Sequence, residues 1–166
     1  MTKKQYKYFP QTKDELKSLI QQRVKVEGNN VNLNDIDVSA ITDMSRLFQD
    51  LSFNSSNFNG NISDWDVSSV TDMSEMFYMC KRFNCDISKW NVSKVTNMTL
   101  MFDSCESFNQ DLSNWNISNV TNMNGMFFDC YSFNQNLSKW NVSKVRYKIE
   151  MFDNCPIADE YKPKFK

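Results

Sequence analysis

All four tryptophans of this chain lie 25 residues apart, at Trp65, Trp90, Trp115 and Trp140. Methionine, phenylalanine and cysteine recur with the same period, so one unit is repeated along most of the 166 residues. A fixed period of this length indicates units that stack, because a single unit cannot bury its own apolar side chains. The period therefore predicts a solenoid with one continuous core.

The units are closely similar in the middle of the chain and degenerate at its ends. Residues 83–105 read FNCDISKWNVSKVTNMTLMFDSC, and residues 108–130 read FNQDLSNWNISNVTNMNGMFFDC. A degenerate first unit precedes them, with apolar residues at the repeat positions from Leu33 to Leu51. In the last unit Lys148 replaces methionine. Terminal repeats are expected to differ in this way, since their outer faces meet water.

Two periodicities lie within each unit. Apolar residues between Val70 and Cys80 follow one face of an α-helix, whereas Trp65-x-Val67 alternates like a short strand. One strand and one helix per unit predict a parallel sheet on one side and short helices on the other. Sheet neighbours lie about 4.8 Å apart and packed helices about 10 Å apart, so the stack should bend with its strands on the concave side.

The segments outside the repeats are predicted to act as caps of a single structural domain. Residues 1–32 should form an N-terminal capping helix and a linker, because Thr12 and Glu15 make a capping box before apolar residues at helical spacing. Residues 33–155 hold about five units. Residues 156–166 should form a C-terminal cap.

Four successive units repeat one pattern, which in the first of them is Ile62-x-x-Trp65-x-Val67-x-x-Val70-x-x-Met73-x-x-Met76-Phe77-x-x-Cys80-x-x-Phe83. The pattern resembles leucine-rich repeats, and among them the BspA-like class with the bacterial surface-protein repeat of 25–26 residues. The resemblance covers roughly residues 33–155. It implies a right-handed α/β coil stack without enzymatic activity. Members with assigned roles are often adhesion or interaction proteins at the cell surface, and many are described only as a domain of unknown function.

Charge and hydropathy restrict the partners. The formal charge is only −1, from 19 basic and 20 acidic residues, so there is no general electrostatic attraction to nucleic acid or to a membrane. No apolar run is long enough to span a bilayer. The N-terminal residues lack the apolar core of a signal peptide, which predicts a cytoplasmic monomer, although the family resemblance implies the cell surface.

Catalytic motifs are missing from the sequence. There are no histidines, which excludes Ser-His-Asp and Cys-His catalysis and histidine metal ligands. Three glycines, at Gly28, Gly60 and Gly125, cannot form a phosphate-binding loop. We therefore expect no enzymatic activity, no cofactor and no metal.

Four of the five cysteines occupy one repeat position, which the first unit fills with Leu51. Free cysteine packs as a small apolar residue, so these thiols should be buried and reduced. Cys85 replaces the Gln110 and Gln135 of later units and is the candidate for an exposed or reactive thiol. A redox or metal sensor would require accessible thiols.

Two further columns have structural and functional interpretations. The tryptophans could form an aromatic platform for carbohydrate or bases, but Ile36 at the same position of the first unit favours the core. Asparagine recurs one residue after a core phenylalanine, which predicts a ladder of hydrogen bonds that satisfies backbone groups in the turns. These asparagines are residues 59, 84, 109 and 134.

Binding residues should lie where the units differ, because positions fixed by packing recur. On the predicted concave face the candidates are Asp64, Asp66, Lys89, Asn91, Asn114, Asn116, Lys139 and Asn141. On the opposite ridge they are Tyr78, Met79, Lys81, Arg82, Phe128 and Tyr131. The ridge aromatics either anchor a partner or lie flat on neighbouring units, and the sequence leaves both interpretations open.

The sequence thus predicts a module that binds a protein partner through its repeat surface, since stacked units offer a broad surface without a deep pocket. The alternative is a cell-surface adhesin or a glycan-binding repeat protein. The sequence does not identify the partner.

Overall fold

The fold was analysed in a computed structural model that describes residues 5–49 and 55–165. Within these residues there is one α-helix, α1 (Lys13–Glu27), and two short 3-10 helices (Ser55–Asn57 and Asp159–Tyr161). All other backbone consists of turns, bends and isolated β-bridges. No helix in the described residues is both long enough and apolar enough to cross a bilayer.

Helix α1 begins and ends as the sequence predicts. The Thr12 hydroxyl accepts a hydrogen bond from the Glu15 N–H, and the Glu15 carboxylate accepts one from the Gln11 N–H. The capping residues are thus confirmed, although the carboxylate reaches one residue further back than in a standard capping box. Leu16 and Ile20 are fully buried beneath the helix. At its end the Gly28 N–H donates to the Val24 carbonyl.

Successive units lie on one another and are joined by backbone hydrogen bonds about 25 residues apart. The N–H of Glu75 donates to Thr99 O at 2.8 Å, and the N–H of Phe77 donates to Met101 O at 3.0 Å. The same bonds recur between the later units. In each pair the earlier unit donates and the later unit accepts. Isolated parallel bridges follow the same column and join residues 43, 72, 97, 122 and 147.

The predicted α/β solenoid is wrong in its secondary structure. No helix forms between Val70 and Cys80, because the backbone takes positive φ angles of 55° at Glu75 and 60° at Met79. A left-handed residue interrupts a right-handed helix. The segment is instead a series of turns, in which N–H groups alternately bond to a carbonyl three residues earlier and to the next unit.

The predicted strands are also absent from the described residues. Around Trp65 the chain makes hydrogen-bonded turns, from the Trp65 N–H to Ile62 O and from the Val70 N–H to Val67 O. Parallel pairing occurs at Asp72 instead, as single bridges. The structure therefore supports neither a leucine-rich repeat nor parallel strands opposite helices. The argument for a concave face, which depended on their different spacings, no longer applies.

The core follows the 25-residue period. The four tryptophans are at most 5% exposed, and each indole N–H donates to a carbonyl of the preceding unit, as from Trp90 Nε1 to Ile62 O at 3.2 Å. The prediction that tryptophan is core is confirmed. The rings of Phe77, Phe102 and Phe127 stack at 5.6 and 5.5 Å between centroids. Leu51, the predicted cysteine equivalent of the first unit, lies outside the described residues.

The asparagine ladder is present. The Asn59 carboxamide oxygen accepts from the Asn84 N–H at 2.9 Å, and the same bond links Asn84 to Asn109 and Asn109 to Asn134 at 3.0 Å. The ladder ends on the C-terminal segment, where the Ala158 N–H donates to Asn134 Oδ1. Each asparagine thus satisfies a backbone donor of the following unit, as the sequence predicts.

We predict that Asn109→Ala lowers the free energy of unfolding by about 1–2 kcal/mol, because it leaves the Asn134 N–H without its acceptor. It also removes the bond from the Gln135 side chain to Asn109 Oδ1 at 2.9 Å. Urea unfolding followed by tryptophan fluorescence measures the loss. The matched control is Asn114→Ala, which removes an exposed asparagine without a side-chain hydrogen bond in the described residues. Equal effects of the two substitutions would contradict a structural ladder.

Candidate partner-binding surfaces

The eight residues predicted to form the concave face are all exposed. They form two columns along the stack, which together we call the polar face. The first column is Asp64, Lys89, Asn114 and Lys139. The second column is Asp66, Asn91, Asn116 and Asn141.

The second column has a structural role that the sequence analysis missed. In each unit its side-chain oxygen accepts a hydrogen bond from the N–H two residues later, as from Ser93 to Asn91 at 3.2 Å. Asn116 accepts from both the N–H and the hydroxyl of Ser118. These are Asx turns. The recurrence of Asp or Asn two residues before serine could have revealed them, and it also explains the apparent glycosylation motifs.

The first column has no comparable role. Within the described part of the chain the side chains of Lys89, Asn114 and Lys139 form no hydrogen bond or salt bridge, while Asp64 is held by other contacts. Lys89 borders two shallow hollows of about 400 and 470 Å³, one beside Asp86 and the other beside Asn91. These hollows are open to solvent, so the column is an accessible polar strip and not a pocket.

The ridge divides into exposed and half-buried residues. Met79 and Tyr131 are 47% and 55% exposed, whereas Tyr78 and Phe128 are half-buried against neighbouring units. Both interpretations of the ridge aromatics therefore apply, each to different residues. Arg82 is exposed on the same side of the molecule.

One ion pair orders the ridge. Lys81 Nζ lies 2.8 Å from Glu106 Oε1, and this bond raises the pKa of the Lys81 ammonium group. Partial desolvation and then the charge of Asp129 raise the pKa of Tyr131. The structure thus brings Lys81 and Tyr131 into one electrostatic environment. An exposed pair of this kind stabilises the fold little, so these side chains remain available for a partner.

A notch that the sequence did not predict lies beside the ridge. It is about 270 Å³ in volume and is lined by Leu100, Phe128 and Ile149 around Gly125. Gly125 has a φ of 57°, and a Cβ there would lie 2.5 Å from Leu100 Cδ2. Glycine therefore lets Leu100 lie flat across the next unit.

Asp103 lines the notch and is only 9% exposed. Its Oδ1 accepts from the Ser104 hydroxyl at 2.7 Å, but burial outweighs this bond and raises the pKa of the carboxyl group above its usual value of 3.8. The folded state thus binds this proton more tightly than the unfolded state does. At neutral pH the charged carboxylate destabilises the fold.

We predict that Asp103→Asn raises the free energy of unfolding at pH 7, because it removes a partly buried charge and keeps an acceptor for Ser104. The difference from the wild type should shrink as the pH falls through the raised pKa, and it should vanish below the ordinary value of 3.8. Urea unfolding at several pH values measures this. A variant that is less stable than the wild type at pH 7 would contradict the burial argument.

The cysteines are poorly placed for redox or metal chemistry. Cys80, Cys105 and Cys130 are fully buried, and each thiol donates to a phenylalanine carbonyl, as from Cys130 to Phe102 O at 2.9 Å. Cys85 is half-buried and not exposed, as is Cys155. Burial raises the pKa of the Cys85 thiol, which disfavours the reactive thiolate. All five are free, and the described residues contain no group of three or more candidate metal ligands.

Comparison with known proteins finds one family. Residues 14–112 and 50–163 match the model of a family described as "Mycoplasma protein of unknown function, DUF285". The two overlapping matches together span the helix α1, every repeat unit and most of the C-terminal segment. No curated protein and no solved structure matches the chain.

Proposed function

The chain belongs to the DUF285 family, and because the function of that family is unknown, we propose one from the surface of the stack. We propose that the protein is a non-enzymatic module that binds a protein partner through the first column of the polar face. Lys89, Asn114 and Lys139 are the proposed contact residues, with Asp64 at one end of the column.

The observation that carries this proposal is the contrast between the two columns. The second column keeps Asp or Asn in every unit because it forms Asx turns. The first column changes from acidic to basic to amide, and its side chains at Lys89, Asn114 and Lys139 form no bond that would account for their identity. A rigid backbone that presents unconstrained and variable polar groups is suited to selective recognition.

A protein fits this surface better than a small molecule does. The column runs across four units, and the hollows beside Lys89 are shallow. Small ligands are usually bound in enclosed pockets lined mainly by apolar groups, whereas protein interfaces are broad. Selectivity would come from the order of charges along the column.

Glycan binding is less well supported. Sugars are commonly held against exposed aromatic rings, but the four tryptophan rings are buried and their N–H groups are already bonded to carbonyl oxygens. A redox function has the similar difficulty that most thiols are buried. We therefore keep adhesion at a cell surface as the second candidate only where a protein on that surface is the ligand.

We predict that the triple variant Lys89→Ala, Asn114→Ala, Lys139→Ala weakens partner binding at least about tenfold, because interface energy concentrates in a few contacts. The partner would be identified by affinity capture from extracts of the source cells with the wild-type chain, and its affinity then measured with both proteins purified. Unfolding in urea should be unchanged, since these side chains support no other group.

The matched control is Lys94→Ala with Lys164→Ala, which removes the same charge from exposed positions outside the polar face. Equal affinity of the triple variant and the wild type would refute the first column as the binding site. An equal loss in the control would show that net charge, and not this column, governs binding.

A further inference from the structure

The last unit leaves one side of the backbone ladder open. In the unit before it, the N–H groups of Met123, Gly125 and Phe127 donate to carbonyl oxygens of the last unit at 2.8, 2.8 and 2.9 Å. The equivalent donors of the last unit have no following unit. Among the described residues, none accepts from these N–H groups, which we call the open edge: Lys148, Glu150, Phe152 and Asn154.

The side chains beside the open edge are apolar where a water-facing end would be polar. Tyr147 and Ile149 are 55% and 68% exposed. The previous unit has Asn122 and Asn124 at the same positions. Terminal repeats normally carry polar outer faces, so two exposed apolar residues at this end indicate contact with another molecule. Ile149 also lines the notch beside the ridge, which extends the apolar surface.

The C-terminal segment forms the opposite wall of a groove along the open edge. This groove is about 310 Å³ in volume and lies between residues 148–153 and residues 162–165. Lys148 Nζ lies 4.1 Å from the centre of the Phe165 ring, which fixes one end of the wall. The groove has room for an extended chain beside the free N–H groups.

The charge of this end favours an acidic occupant. Residues 139–166 contain seven basic and four acidic residues, a local charge of +3 in a chain whose total is −1. Free N–H groups add partial positive charge along the edge. An acidic segment would therefore be attracted both by the side chains and by the backbone.

A second copy of the chain fits less well. Its only matching row of acceptors would be the carbonyls of the first unit, near Asp43 and Ser45. That unit is met by α1, since Lys13 Nζ lies 3.0 Å from Asp43 Oδ2 and 2.6 Å from Ser45 Oγ. Stacking of copies end to end would have to displace this helix.

We propose that the open edge binds an extended acidic segment of a partner protein, which continues the ladder as a further unit would. Carbonyl oxygens of that segment would accept from the four free N–H groups, and its carboxylates would face Lys148 and Lys162. Addition of an extended peptide to an unpaired edge is a known mode of recognition. The edge is separate from the first column of the polar face, so either proposal can fail without the other.

The test uses the full chain and two synthetic peptides with capped ends, one of alternating glutamate and threonine and one of alternating lysine and threonine, each eight residues long. Amide chemical shifts in NMR are followed during titration. We expect saturable shifts from the acidic peptide, largest at the four N–H groups of the open edge. No saturable binding at millimolar peptide, equal binding of the basic peptide, or shifts centred elsewhere would overturn the proposal.

Variants separate charge from backbone. Lys148→Gln with Lys162→Gln should weaken binding about fivefold, whereas Lys89→Gln with Lys94→Gln, which removes the same charge elsewhere, should not. Lys148→Pro should bind about threefold to tenfold more weakly than Lys148→Gln, because it also deletes an N–H donor. Unchanged tryptophan fluorescence and melting temperature would show that the variants are folded. Equal binding of the proline and glutamine variants would overturn the role of the N–H groups.

A dilution series without peptide tests the other occupant. Sedimentation velocity should show one monomeric species at all concentrations. A concentration-dependent dimer, with shifts at the same four N–H groups, would assign the open edge to a second copy and overturn the proposal.

Discussion

The stack depends on a backbone ladder that has a direction. Each unit donates N–H groups to the unit after it and accepts with its carbonyls from the unit before it. The length of the unit is therefore fixed, because one extra residue would move every donor away from its acceptor. The direction also makes the two ends chemically different. The first unit has its carbonyl side next to α1, and the last unit presents unpaired N–H groups at the open edge.

Polar side chains recur as strictly as apolar ones because they support this ladder. The asparagine at positions 84, 109 and 134 carries its bond from unit to unit, and the second column of the polar face closes a turn in every unit. A recurring polar residue in a repeat protein is thus not by itself a sign of binding. Residues that vary without a structural reason, such as Lys89 and Lys139, are better candidates, as are residues that break the pattern, such as Ile149.

The sequence predicted the period, the buried columns, the helix α1 and the asparagine ladder, because each depends on residue spacing or capping. It did not predict the local backbone. The spacing of Met73, Met76 and Phe77 fits one face of a helix, and it equally fits successive turns that return side chains to the core. The difference lies in the positive φ angles of Glu75 and Met79, which these residue types do not signal. The open edge was hidden for the same reason, since it requires knowing which N–H groups point outward.

Hydrogen-bond scalar couplings measured by NMR would test the ladder most directly, because they identify the donor and the acceptor of each bond. The structure predicts couplings from the Glu75 N–H to the Thr99 carbonyl and from the Phe77 N–H to the Met101 carbonyl. It predicts no such coupling from Glu150 or Phe152 in the unbound chain. Couplings from Phe77 to the carbonyl four residues earlier would instead indicate a helix and contradict the ladder.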